Sequence, residues 1–212
     1  ASRVAGVGVA TPGPVDAKSG TVVAPPHMPG WTRVPLRSLL ATATGLPVVM
    51  DKDVIASAVA EMWTGKTGAA RNFVYVYVGT GIGAGLVLDD EVVRGASGNV
   101  GEIGHIIADP DGPPCDCGRR GCIKVTCMPE TILAEARAAG VLAAVGADHP
   151  AALPEDLAKL AASAASGDTV ATDILKRWAQ RMSGAVSVLT NLLDVEQVIF
   201  GGPFWPAISG IF

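Results

Sequence analysis

Apolar and polar positions alternate along this chain on two periods, one short and one helical. Arg3 to Ala10 is apolar with small residues and reads as a buried strand, broken by Thr11-Pro12-Gly13-Pro14. Asp16 to Gly20 is a polar turn, and Thr21-Val22-Val23 reads as the return strand of a hairpin. Pro25, Pro26, Pro29 and Gly30 forbid regular structure up to Trp31. Leu36, Leu39 and Leu40 have helical spacing, with Gly45 as a stop just beyond. Pro47 to Met50 predicts a short apolar strand, followed by Asp51-Lys52-Asp53 and an alanine-rich helix from Val54 to Thr64. Phe73 to Val78, rich in β-branched and aromatic residues, is a clear strand. Ala84 to Leu88 and Glu91 to Val93 predict two more, joined at Asp89-Asp90. Residues 95–127 are rich in Gly, Pro and Cys and read as loop. The remainder is mostly helical: Ile174, Trp178, Met182, Ala185, Leu189 and Leu193 recur every three or four positions as one apolar stripe. Gln197 to Phe200 predicts a last strand, ending at Gly201-Gly202-Pro203. No internal repeat or flexible linker interrupts the pattern, and the alternation of strands and helices predicts an α/β class.

Composition narrows the function classes. At 212 residues with 49% hydrophobic and 17% charged, the chain can bury a large core and is not disordered. A net charge of −4 leaves no basic footprint for nucleic acid or anionic lipid. Aromatics at 5% supply no stacking platform for single strands. No apolar run reaches membrane-span length and no signal peptide opens the chain, so a cytoplasmic location is expected.

The four cysteines, at 115, 117, 122 and 127, crowd one short stretch. A disulfide framework spreads its cysteines to staple distant loops, so the cluster reads instead as a metal knuckle. Zinc favours four soft or borderline ligands in a tetrahedron, which thiolates and imidazole supply. Cys115 and Cys117 share a tight loop, and Gly118 and Gly121 let the chain wrap so that Cys122 reaches the same ion. Either His105 or Cys127 completes the set on spacing alone, and free buried thiols are the competing reading.

Two other stretches carry possible chemistry. Gly79-Thr80-Gly81-Ile82-Gly83-Ala84-Gly85 is followed by Leu86-Val87-Leu88, a strand rather than a helix, which argues against a dinucleotide fold. A glycine turn between strands still presents backbone N–H groups to a phosphate, and an ordinary hairpin is the plainer alternative. Asp53, between strand and helix, suits either a cap or a general base toward a hydroxyl.

Taken in order, these stretches resemble the ROK family of bacterial sugar kinases and sugar-responsive repressors. The resemblance rests on Gly6-Val-Gly-Val-Ala-Thr-Pro-Gly-Pro-Val-Asp16, Pro29-Gly-Trp31, Val78-Gly-Thr-Gly-Ile-Gly83, Gly101-Glu-Ile-Gly-His105 and Cys115-x-Cys-Gly-x-x-Gly-Cys122. It implies an actin/hexokinase-like (ribonuclease H-like) fold of two α/β lobes with ligands in the cleft, truncated here at both ends. Residues 1–50 would form part of the N-terminal lobe, and 51–212 the remainder of the cleft, the knuckle at 105–122 and a helical C-terminal lobe. The resemblance favours His105 over Cys127, so that His105, Cys115, Cys117 and Cys122 hold a structural zinc while the second ring nitrogen of His105 faces the sugar. Glu102 would accept hydrogen bonds from sugar hydroxyls, and Asp53 aligns with the kinase base, working or vestigial. Gly79, Thr80 and Gly81 would face phosphate.

Departures from the family pattern shape the functional expectation. Lys52 and Ile55 replace the two asparagines around the base, Lys124 replaces a sugar-binding glutamate, and His27 stands where an asparagine is common. The amino-terminal Asp-x-Gly-Gly phosphate loop is not in this sequence. The resemblance therefore implies the sugar-sensing domain of a transcriptional regulator, a homo-oligomer that reaches DNA only through a domain absent from this chain. The alternative is an ATP- and magnesium-dependent hexose or N-acetylhexosamine kinase using Asp53; a third is a degenerate homologue that keeps zinc and fold alone. If Lys52 and Lys124 both face the ligand, an anionic sugar derivative would bind better than a neutral sugar.

Overall fold

The computed structural model describes residues 3–26, 28–64, 68, 70–144 and 152–211, and the chain divides into two compact units. The first comprises Ala1–Tyr75 and Ala84–Gly101. Its first strand, β1, is Val7–Thr11, so the strand starts four residues later than the apolar run. The strand is not buried throughout: Gly8 and Ala10 are exposed while Val7, Val9 and Thr11 turn inward, the alternation of a strand covered on one face. Three very short strands, β2 (Val15–Asp16), β3 (Thr21–Val23) and β4 (Arg33–Val34), form an antiparallel sheet in that order. Thr21–Val23 does return in a hairpin, but against the two-residue β2, with Val15 opposite Val22, and not against the first strand, which lies in another sheet.

Helix α1 (Leu36–Thr44) stops at Gly45, whose φ of 67° places it in the left-handed region and whose N–H returns to the Ala41 carbonyl. Strand β5 (Val48–Lys52) pairs in parallel with β1, from Val7 opposite Val48 to Thr11 opposite Lys52. That pairing draws Asp51 and Lys52 into the strand, and helix α2 (Asp53–Thr64) begins at the next residue. Val54, Ile55 and Ala58 turn the buried stripe of α2 inward.

Strands β6 (Phe73–Val78), β7 (Ile82–Leu88) and β8 (Glu91–Val93) follow, the first as its composition predicts. β7 and β8 pair antiparallel through Asp89 and Asp90, both at positive φ, the backbone that a two-residue hairpin turn requires.

The second unit comprises Val76–Gly83 and Glu102–Phe212. Residues expected as loop hold a 3-10 turn at Ile103–His105 and helix α3 (Ile123–Thr126), both too short to show a period in the sequence. Then come α4 (Pro129–Ala138), α5 (Leu153–Ala165), α6 (Thr169–Leu193), strand β9 (Gln197–Gly201) and α7 (Trp205–Ile208). The sheet containing the later strands runs in the order β8-β7-β6-β9.

The spine of this unit is α6. Asp168 caps it, its carboxylate accepting the N–H groups of Val170 and Ala171 at 2.9 and 3.0 Å. Those bonds, the Ala171 one foremost, hold the Asp168 carboxyl below the usual carboxylate range. The apolar stripe is buried at Ile174, Trp178, Met182 and Ala185 and fades at Leu189 and Leu193, which are half-buried. Helices α3, α4 and α5 pack against α6. Trp178 is the largest fully buried side chain, and its indole N–H donates to the Cys127 carbonyl at 2.8 Å. Trp178→Ala is expected to cost about 3–5 kcal/mol, since it leaves a cavity and strands a buried carbonyl. Urea unfolding followed by circular dichroism measures this, and Trp178→Phe, which keeps most of the volume, should cost less.

Candidate metal centre and binding residues

The knuckle is built by backbone hydrogen bonds before any ligand is considered. The Gly121 carbonyl accepts from Ala108 at 2.8 Å and Asp109 at 3.0 Å, while the Gly121 N–H donates to the Pro113 carbonyl. Cys115 donates to Arg119, Gly118 to Cys115, and Ile123 to Ile106. Isolated bridges join Ile107 to Cys122 and Pro114 to Arg120. The segment is then clamped to α6 at two points. Trp178 holds Cys127, and the Arg181 guanidinium takes Asp109 Oδ2 through Nε at 3.0 Å and Nη2 at 2.8 Å.

This framework gathers His105, Cys115, Cys117 and Cys122, whose donor atoms all lie within 4.8 Å of one another. Cys115 Sγ is 3.5 Å from His105 Nδ1, and Cys117 Sγ is 3.6 Å from Cys122 Sγ. A tetrahedral ion with metal–sulfur bonds of about 2.3 Å and metal–nitrogen bonds of about 2.0–2.1 Å has edges of roughly 3.8 Å and 3.6 Å. The two separations match those edges, so the residues fit a single bound metal ion. Cys127 is outside the group: it is fully buried, its sulfur lies 3.5 Å from the Thr126 hydroxyl, and burial pushes its thiol up to about 11. The group that could hold a metal ion therefore includes His105 and not Cys127.

Charge around the set is arranged by Asp116, Lys124 and Arg119. Lys124 Nζ pairs with Asp116 Oδ2, holding that carboxyl below its usual range. The Arg119 backbone N–H, with its guanidinium in support, holds the Cys117 thiol down to about 6. Lys124 is half-exposed and engaged with its own knuckle, so its charge is already matched by a carboxylate.

Glu102 is exposed at the N-terminal edge of the 3-10 turn that carries His105, which is half-buried. The loop that precedes Glu102 in the chain is held within the first unit. Asn99 mimics a strand partner, its Oδ1 accepting the Val15 N–H at 2.7 Å and its Nδ2 donating to the Val15 carbonyl at 2.9 Å. Gly101 has φ 87°, and its carbonyl accepts the Ala84 N–H at 3.0 Å. Neither the Asn99 bonds nor the Arg181–Asp109 pair leaves a signal in the sequence, because their partners lie 84 and 72 positions away.

In the first unit Lys52 is buried, 4% exposed, and its Nζ donates to the Val100 carbonyl at 3.3 Å. Asp53 is half-buried as the first residue of α2, with a carboxylate oxygen 2.8 Å from the Val54 N–H. The turn between β6 and β7 is shorter than the glycine stretch, Gly79 to Gly81 alone, because β7 begins at Ile82; Thr80 is exposed, and the Gly79 N–H is taken by the Gly81 carbonyl at 3.0 Å. His27 lies outside the described residues.

Comparison with known proteins agrees with this architecture. The chain is 32% identical to a glucokinase of Halalkalibacterium halodurans over 209 residues, covering 95% of this chain and 62% of that protein. It is 31% identical to a xylose repressor of Caldicellulosiruptor bescii, covering 93% of this chain and 50% of the repressor. A ROK family glucokinase from Streptomyces griseus, solved with glucose and AMPPNP, superposes with a TM-score of 0.78 at 28% identity, over 99% of this chain and 71% of that one. The chain therefore spans between half and two thirds of the curated relatives named, and those relatives include both kinases and repressors. Its fold is the mixed α/β, actin/hexokinase-like fold of these neighbours. Residues 1–206 match the model of the ROK family, and the chain belongs to that family.

Proposed function

We propose that this chain is the sugar-binding part of a ROK-family transcriptional regulator, with a structural zinc held by His105, Cys115, Cys117 and Cys122. The observation that carries the regulator reading is Lys52. Where the family pattern that this chain resembles has an asparagine, this chain buries an ammonium group against the Val100 carbonyl. Lys124, in place of a carboxylate, is engaged by Asp116. In the second unit Glu102 and His105 still offer polar groups to hydroxyls, while Lys124 there, and Lys52 in the first unit, no longer supply the partners that the family pattern uses to position a sugar for transfer. Phosphoryl transfer depends on positioning, so such losses weigh more on catalysis than on binding. Zinc in this scheme supplies a rigid cross-link. His105 Nδ1 faces the sulfurs, which leaves Nε2 as the ring nitrogen for a ligand.

The second reading is an ATP-dependent sugar kinase. Asp53 favours it, since a half-buried carboxylate at a strand-to-helix junction suits removal of a proton from an attacking hydroxyl. Magnesium and ATP would then be required, with Gly79, Thr80 and Gly81 toward phosphate.

Calorimetric titration with hexoses, pentoses and N-acetylhexosamines, beside a coupled ADP-release assay, separates the readings. Binding without turnover is expected. Removing one charged hydrogen-bond partner in Glu102→Gln should weaken binding by about 1.5–3 kcal/mol, roughly tenfold or more. Turnover that disappears in Asp53→Asn would establish the kinase instead.

A further inference from the structure

The four donors are not equally protected. Cys122 is completely buried and Cys115 is 7% exposed, whereas Cys117 lies on the surface. Cys115 Sγ is already engaged on two sides, 3.5 Å from His105 Nδ1 and 3.2 Å from Asp116 Oδ1. Cys117 Sγ instead lies 3.6 Å from Cys122 Sγ, across the tight Gly118-Arg119-Arg120-Gly121 loop. A disulfide needs a sulfur separation near 2.05 Å, so closure asks for about 1.5 Å of approach within one loop. Pairing Cys115 with Cys117 would compress a ring around a single intervening residue. Cys127 is buried elsewhere in the unit, against Thr126.

We propose that Cys117 is a modification site for hydroperoxides, and that Cys122 resolves it into an intramolecular disulfide. The proposal rests on the reading of these residues as a zinc-binding set. The Cys117 thiolate attacks one peroxide oxygen; the O–O bond breaks, a sulfenic acid forms, and the second oxygen leaves as hydroxide, or as alkoxide from an organic hydroperoxide. The Cys122 thiolate then attacks the Cys117 sulfur, forming the S–S bond and expelling the sulfenic oxygen as hydroxide. Two thiolates lose two electrons and the peroxide gains them; with hydrogen peroxide, two protons taken up from solvent complete two waters. The disulfide removes two of four donors, leaving His105 and Cys115, too few to hold the ion.

The test begins by measuring zinc in the purified full chain, which reads the metal assignment on its own. The chain is then treated with hydrogen peroxide, trapped with a sulfenic-acid reagent, and mapped by non-reducing peptide mass spectrometry, with released zinc followed by a chromophoric chelator. Trapping at Cys117, a Cys117–Cys122 bridge and loss of one zinc per bridge are expected, reversed by dithiothreitol with added zinc. Cys127→Ser, whose donor set is complete, should form the same bridge. A first adduct at Cys115, a bridge that includes Cys127, or a zinc-loaded chain that stays reduced or keeps its zinc when bridged would each overturn the proposal. Protein isolated without zinc would count against the metal reading, while the same mapping on it still decides whether Cys117 and Cys122 pair.

Discussion

Cys122→Ser is expected to abolish metal binding and to unfold the knuckle, whereas Cys127→Ser keeps one zinc per chain. Cys122 is fully buried at the foot of α3, and its carbonyl accepts the Thr126 hydroxyl and backbone N–H. A structural zinc contributes about 10–16 kcal/mol of apparent binding free energy in small zinc domains, as large as the whole stability of about 5–15 kcal/mol of an ordinary domain. Loss of one thiolate from a closed four-donor set removes most of that. The remaining backbone bonds, from Gly121 to Ala108, Asp109 and Pro113, do not replace a cross-link. His105→Gln should likewise lower zinc content, because His105 Nδ1 stands 3.5 Å from Cys115 Sγ. Elemental analysis and thermal melts with and without a chelator measure both effects. Full metal loss in Cys127→Ser, with none in His105→Gln, would reverse the assignment of the fourth donor.

The features legible in the sequence are those whose cause is local. Phe73 to Val78 forms a strand because consecutive β-branched and aromatic residues favour it, and the structure assigns those six residues. The α6 stripe is legible because one helix carries its own period, and the knuckle because all its donors fall within eighteen residues. Features set by a distant partner are not legible. β1 begins at Val7 rather than Arg3 because its register is fixed by Val48, and β5 reaches Lys52 because Thr11 lies opposite it. Two-residue strands such as β2 and β4 have no period to read. Lys52 illustrates the same limit: in the sequence it stands next to two aspartates, and nothing there shows that its Nζ also reaches the Val100 carbonyl 48 positions on. Lys124 does pair locally, with Asp116 eight residues before it, but the loop that brings them together is the knuckle itself.

Gly121→Ala is expected to lower zinc affinity at least about 100-fold, the upper end of what a residue outside the donor set usually costs. Gly121 has φ 64°, a left-handed backbone in which side chains are strained. A Cβ there would lie 1.4 Å from the Asp109 carbonyl oxygen and 2.4 Å from its carbon. Ordinary contact needs about 3.4 Å or more, so the two strands of backbone must part by roughly 2 Å. Neither side can yield cheaply. Asp109 is held from outside by Arg181 on α6, and its N–H already donates to the Gly121 carbonyl at 3.0 Å. The displacement therefore passes into the next residue, Cys122. Metal–ligand distances tolerate only about 0.2 Å, an order of magnitude less than the shift imposed. Competition with a chromophoric chelator reads the affinity, and Gly118→Ala is the companion variant. Gly118 also has positive φ, at 84°, but a Cβ there would meet nothing within 4 Å. It should cost only the backbone strain of about 1–2 kcal/mol. Equal zinc affinities for the two variants would mean that crowding against Asp109 does not govern the position of Cys122.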